Sequence, residues 1–286
     1  MIERLLADPC LTLWNGMFWL YATNDGKRDW LTHTINAFSS KDLTNWVDNG
    51  VAYDSLVEVS WERDRCKTWA PSVWHVDDVQ HVLYTAEGGN IACAVAKEPF
   101  GPFKDIGSPL IEEDAFDGYQ IDPSVFIDDG GESWLLWGNT IPYAAPLSDD
   151  GTSVDLAQVR RFDFPNFREA LDLKVRNGLY HATWSVNDTR SRDYHVEYAI
   201  APDISGPWTH VGILLEQNPR LGIYGTGHHS ILQVPGTDDW IIAYHRWAIQ
   251  NGSGWRREVV FAPLSFDENG LMRSVVPDLR AFSFTI

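Results

Sequence analysis

The chain has 286 residues, 44% of them hydrophobic, with 22 basic against 40 acidic side chains and a net charge of −18. That is enough apolar residue for a sizeable core, and one large domain fits as well as two ordinary ones. So acidic a surface excludes partners that need basic patches, nucleic acid and anionic membranes, and is compatible with a neutral ligand.

The N-terminus, "MIERLLADPC", lacks a basic start followed by an apolar run, so no signal peptide is read and a cytoplasmic protein is expected. A secreted protein in its mature form would look identical. No apolar run is long enough to span a bilayer. Three cysteines (Cys10, Cys66 and Cys93) are sparse, odd in number and without metal spacing, so reduced thiols are expected.

Taken in chain order, short strand-like runs recur. "DPCLTLW" from Asp8 is followed by "MFWLYAT" from Met17. "APSVWHV" precedes "HVLYTAE", "DPSVFID" precedes "SWLLWGN", "EALDLKV" precedes "LYHATWS", and "HHSILQV" precedes "DWIIAYHRW". Turn residues separate the members of each pair, so each pair predicts a hairpin. Counting eight residues from Asp8, Trp69, Asp122, Glu169 and His228 lands each time in a turn: Gly16, Asp77, Gly130, Asn177 and Gly236. The five units begin about 45 to 60 residues apart, the spacing of four-stranded propeller blades.

A later echo, "SSKDLTNW", "AKEPFGPF" and "APDISGPW", predicts outer hairpins. Only the stretch around Glu58 has helical composition, and it is read as loop. The tail "EVVFAPLSF" and "MRSVVP" reads as strands. The predicted fold is therefore all-β, a single five-bladed β-propeller over residues 1–286. The C-terminal segment is expected to complete the sheet that the N-terminus starts, since an open arc would leave edges exposed.

In a propeller the innermost strands line the axis. The shared register brings Asp8, Trp69, Asp122, Glu169 and His228 to one mouth. Singly, each has a bland explanation: Asp before Pro starts turns, and a lone Trp is core. Together, three carboxylates resist ionising at once, so one stays protonated as a general acid while another serves as a base. That is the pattern of glycoside hydrolysis. Most of the 14 Trp are expected in the core, and a few lining a pocket would suit sugars, whose CH faces stack on rings. Glu87 is a rival acid, out of register at the end of a second strand. Loops near Trp61 and over residues 140–157 are expected to shape the rim.

These residues resemble glycoside hydrolase family 43, five-bladed propellers of the arabinofuranosidase, xylosidase and arabinanase group, over nearly the whole chain. "ADP" resembles the family's general-base motif and implies Asp8 as base. "TWAPSVW" resembles a segment whose Trp walls the sugar site, here Trp69. "IDPSVFIDDGG" implies that Asp122 tunes and orients the general acid. "GTGHHSI" resembles an axial motif whose first His, here His228, holds a cation or water, so a structural calcium is implied there and no cofactor for the chemistry. "WRREVVFAPLSF" implies a substrate-contacting Arg257. One motif departs: where the family usually has Glu-Gly-Pro, this chain has Glu169-Ala170-Leu171.

The resemblance implies an inverting glycosidase that releases terminal α-L-arabinofuranose, with Glu169 as acid and the two carboxyls roughly 6.5–9.5 Å apart. A β-xylosidase or dual enzyme, an endo-arabinanase and a non-catalytic sugar-binding propeller stay open. The partner implied is an oligosaccharide or polysaccharide.

Overall fold

The computed structural model describes residue 2, residues 4–61 and residues 66–285. Five antiparallel sheets make up the fold. The first holds β1 (Leu6–Trp14), β2 (Met17–Asn24), β3 (Thr34–Ser40) and β4 (Trp46–Asp54). The second holds β5 (Trp69–Val76), β6 (Val79–Ala86), β7 (Asn90–Ala96) and β8 (Lys104–Asp105). In the third are β9 (Ser124–Ile127), β10 (Ser133–Trp137), β11 (Tyr143–Pro146) and β12 (Arg160–Arg161). The fourth comprises β13 (Phe167–Arg176), β14 (Leu179–Val186), β15 (His195–Ala201) and β16 (Thr209–Leu215). The fifth has three strands, β17 (Gly227–Gln233), β18 (Trp240–Trp247) and β19 (Arg257–Leu264). Strands follow chain order within each sheet, and β1, β5, β9, β13 and β17 touch in a closed ring. This is the five-bladed propeller that the repeat predicts.

The core lies between blades. Trp19 and Tyr21 on one face of β2 pack with Val82 and Tyr84 of the next blade, while Phe18 on the other face packs with Ile241 and Ala243 of the last. Both faces of the second strands are buried, so they read as continuous apolar runs rather than alternating ones. Trp74, Trp134, Trp137, Trp184 and Trp240 are core residues of this kind.

The first and last blades meet differently from the expectation. No described residue of the C-terminal segment pairs into the first sheet. Instead β1 packs directly on β17, β18 and β19. Beyond β19, Phe282 and Phe284 pack beside Leu11 and Phe18, and the Phe284 N–H donates to the Asp42 carbonyl at 3.0 Å. "MRSVVP" forms only isolated bridges at Met272 and Val275. Near Glu58, Ser55–Glu58 forms one helical turn, α1, because the Asp54 carboxylate caps the Leu56 N–H. Residues 62–65 of that stretch lie outside the described residues.

Each inner strand opens with one residue in the left-handed region: Asp8 (φ 53°), Ala70 (φ 46°), Asp122 (φ 58°), Ala170 (φ 59°) and His228 (φ 39°). There the ladder of β1, β5, β13 and β17 slips by a bulge, which re-aims side chains. The freed amides are caught by the preceding blade. Ala70 N–H donates to Thr23 Oγ1 at 2.8 Å, Asp122 N–H to Thr85 Oγ1 at 2.9 Å, and His228 N–H to Ser185 Oγ at 2.9 Å. Asp8 N–H donates to His245 Nδ1 at 3.2 Å. In this register Trp69 and Glu169 stand one residue before the left-handed position that Asp8, Asp122 and His228 occupy. The axial residues thus form two adjacent rings where the residue count predicts one.

Candidate active site

The bulges deliver Asp8, Asp122, Glu169, His228 and Trp69 to one cavity of about 280 Å³, and Arg257 joins them from the start of β19. All six predicted site residues therefore line the same space. Glu87 does not line it and instead lies within 3.5 Å of the Asn90 side-chain amide. Trp61 donates its indole N–H to Asp105 on the outer strand β8, residues 62–65 of its loop lie outside the described residues, and residues 140–157 do not line the cavity.

Asp8 is buried, and burial would raise its carboxyl. The Arg257 guanidinium wins. Arg257 Nη1 donates to Asp8 Oδ1 at 3.0 Å, and His228 Nδ1 lies 3.3 Å from the same oxygen. Arg257 first, then His228, hold Asp8 well below the usual carboxylate range. His245 is fully buried and pushed down to about 3 by burial. It is therefore the neutral imidazole whose Nδ1 accepts from the Asp8 amide, which leaves Nε2–H to face Thr189 Oγ1 at 3.3 Å. Arg257 is in turn fixed by Asp25: Asp25 Oδ2 accepts from both its backbone N–H and its Nε at 2.9 Å.

Glu169 has the opposite environment. Burial pushes it up to about 7, against the pull of Tyr194 and Arg168, with Asp8 adding to the rise. Tyr194 O–H donates to Oε1 and Asn139 Nδ2 to Oε2, both at 2.8 Å. Asp122 is raised well above its ordinary value by burial first, then by Glu169 and Asp8. Like charge was expected to act from Asp122 on Glu169. Here the first cause at Glu169 is burial, and the repulsion falls on Asp122. The two titrate as a pair.

Donor atoms of Asp122, Glu169 and His228 lie within 4.8 Å of one another. As a calcium site the set fits poorly. It offers two carboxyls and an imidazole where calcium takes six to eight oxygens, and both Glu169 oxygens already accept hydrogen bonds. No step below runs through a metal.

The wall is aromatic. Trp30 packs edge-on against Trp69 and Trp255 at 6.5 and 5.7 Å. Trp69 Nε1–H donates to the Trp30 carbonyl at 2.7 Å, and Trp30 Nε1–H to the Gly254 carbonyl at 2.8 Å. Gly88 backs Trp69: a Cβ there would sit 3.0 Å from the indole ring. Asp25, Trp30, Asn139, Arg168, Tyr194, Thr189 and His245 escaped the sequence reading. They sit outside the repeated inner-strand positions that carried it.

A propeller whose axial mouth gathers one carboxyl held low and two pushed up, under an aromatic wall, has the equipment of a glycoside hydrolase. The profile described as glycosyl hydrolases family 43 matches residues 1–272, and the chain belongs to that family. A beta-D-galactofuranosidase of Aspergillus niger is 28% identical over 282 residues, covering 92% of this chain and 80% of that protein. An arabinoxylan arabinofuranohydrolase of Paenibacillus polymyxa is 26% identical over 307 residues, covering 90% of this chain and 48% of that one, so the present chain spans about half of that relative. The fold matches the crystal structure of a family 43 arabinoxylan arabinofuranohydrolase from Bacillus subtilis in complex with cellotetraose, with a TM-score of 0.85 at 22% identity. That match covers 100% of this chain and 69% of the other.

Proposed function

We propose that this hydrolase removes terminal α-L-arabinofuranose from arabinose-bearing plant oligosaccharides or polysaccharides, with inversion at the anomeric carbon. The observation that carries the reading is the split between Asp8, held ionised by Arg257, and Glu169, buried and pushed up to about 7, across one cavity. Two carboxyls driven apart in this way take the base and acid roles.

Asp8 accepts a proton from a water, whose oxygen attacks the anomeric carbon. The bond from that carbon to the leaving oxygen breaks as Glu169 passes its proton to that oxygen. Asp122, raised by burial and by Glu169, resists adding a second negative charge beside it. Arg257 keeps Asp8 charged and presents donors to a sugar hydroxyl, while Trp69 walls the ring. About 280 Å³ is small against ligand pockets of roughly 300–1,000 Å³, which favours one terminal sugar over a polymer threaded through. The relatives named for arabinofuranose and galactofuranose favour a five-membered ring.

The test is release of para-nitrophenol from the α-L-arabinofuranoside and the β-D-xylopyranoside by the protein and by Glu169→Gln and Asp8→Asn. Arabinofuranoside turnover that Asp8→Asn removes, together with release of arabinose from arabinoxylan that Glu169→Gln also removes, supports the reading. A preference for the xyloside overturns the sugar, and no turnover on either glycoside or on arabinoxylan overturns the enzyme. The anomer that NMR detects first in the product decides inversion.

A further inference from the structure

The cavity holds one cation that the chemistry proposed above does not use. Arg257 is spent on Asp8 and Asp25. Arg190 is spent on Asp188, donating Nε–H to Oδ1 at 2.7 Å and Nη2–H to Oδ2 at 2.6 Å. It also lies 5.6 Å over the Trp30 ring and against Gly254, where a Cβ would meet its side chain at 2.6 Å. Arg168 is different. Its guanidinium donates no hydrogen bond to any described residue, and its Nε is buried without a partner. Its nearest carboxylates are Glu169 Oε2 at 3.6 Å and Asp188 Oδ2 at 3.5 Å, the latter already held by Arg190.

Asp8 and Asp25 together hold Arg257, and Asp188 holds Arg190. Arg168 is left as the guanidinium on the cavity wall that no carboxylate holds within hydrogen-bond distance. It is 35% exposed, beside the group that protonates the leaving oxygen, and so on the side where the departing part of the substrate lies. A half-buried guanidinium with free, forked donors suits a planar carboxylate, which accepts two of them at once.

We propose that Arg168 marks a leaving-group subsite for a carboxylate, so that the preferred substrates carry a uronic acid next to the sugar that is released. This rests on the proposed role of Glu169 as the acid.

The test uses two chromogenic α-L-arabinofuranosides, 4-nitrophenyl and 3-carboxy-4-nitrophenyl, with the protein, Arg168→Gln and Arg168→Lys. The readout is the ratio of kcat/KM for the carboxylated over the neutral substrate. Comparing this ratio between variants cancels the difference in leaving-group chemistry. Arg168→Gln is expected to lower it about tenfold, the worth of a charge-assisted hydrogen bond, with Arg168→Lys in between because it keeps the charge and loses the fork. The same ratio in all three proteins overturns the proposal. If neither glycoside is cleaved, both are titrated calorimetrically into Asp8→Asn with and without Arg168→Gln. Tighter binding of the carboxylated compound that needs Arg168 upholds the subsite while the sugar assignment falls. Equal affinities overturn the subsite.

Discussion

Arg257 Nη1 stands 3.0 Å from Asp8 Oδ1, so the last blade supplies the counter-charge for a carboxylate on the first. Both side chains are almost fully buried. Removing one member of such a pair leaves the other charge uncompensated and costs about 3–5 kcal/mol. Arg257→Met is expected to lose stability on that scale. It should also move the acidic limb of kcat/KM upward, because burial then acts on Asp8 with one opposing cation fewer. Arg257→Lys should recover part of the charge effect while losing the fork to Asp25. A pH–rate profile beside a urea melt checks both effects.

The alkaline side belongs to Glu169. Pushed up to about 7, it supplies a proton below that pH and loses it above, so kcat/KM should fall as pH rises through about 7. Asp8 stays ionised well below pH 4, so the plateau should extend far into acid. Glu169→Gln should abolish the alkaline limb and cost about 10²–10⁴ in rate on substrates with poor leaving groups. A limb that persists in that variant would move the acid elsewhere.

Ala170 fills, at φ 59°, the position where the family motif usually has Gly. A left-handed Ala costs roughly 1–2 kcal/mol, partly offset by the entropy that Gly would lose on folding. Ala170→Gly should therefore keep full activity and raise stability by about 0–1 kcal/mol. The departure from Glu-Gly-Pro is in these terms a local strain and leaves the acid in place. A loss of activity would contradict that account.

His181 is 1% exposed, with both ring nitrogens unpartnered, edge-on to Phe266 at 5.5 Å. Burial pushes it down to about 4, with Arg176 adding to the fall. The unfolded chain takes up its proton near 6.5 and the native state does not. Stability should accordingly fall as pH drops from about 6.5 toward 4, by up to about 1.4 kcal/mol per pH unit for this group. His229 and His245, both pushed down to about 3, add to the same slope. His181→Phe should flatten the Tm–pH curve over that window.

Removing divalent cations should leave kcat unchanged, since every step assigned above uses protein groups and water. EDTA dialysis followed by a rate assay checks this. A loss that calcium restores would make the Asp122, Glu169 and His228 cluster a working metal site.

The five hairpins were legible because both faces of each second strand are buried, which prints a long apolar run between two turns. Asp8, Asp122 and His228 were legible because the left-handed residue that opens each inner strand recurs at one place in each unit. The off-by-one of Trp69 and Glu169 was not. Both rings of residues face the axis, and only the sign of φ separates Glu169 from Ala170. Asp25, Thr189 and His245 were hidden for another reason. Each acts across a blade boundary, where no spacing within one unit records the contact. The ring does close between β1 and the last blade, but no described C-terminal strand pairs into the first sheet, because "MRSVVP" has strand composition yet meets the fold only at isolated bridges.

The order in which the chain is made meets the order in which the site is assembled at the seam. Asp8 emerges from the ribosome long before Arg257. Until the fifth blade folds, Asp8 has neither its guanidinium from β19 nor the histidines of β17 and β18. A nascent or truncated chain, however well its first four blades have folded, therefore carries an incomplete site. Hydrolytic activity becomes a report on a chain extended past β19, and one cut short before residue 257 should bind poorly and turn over nothing.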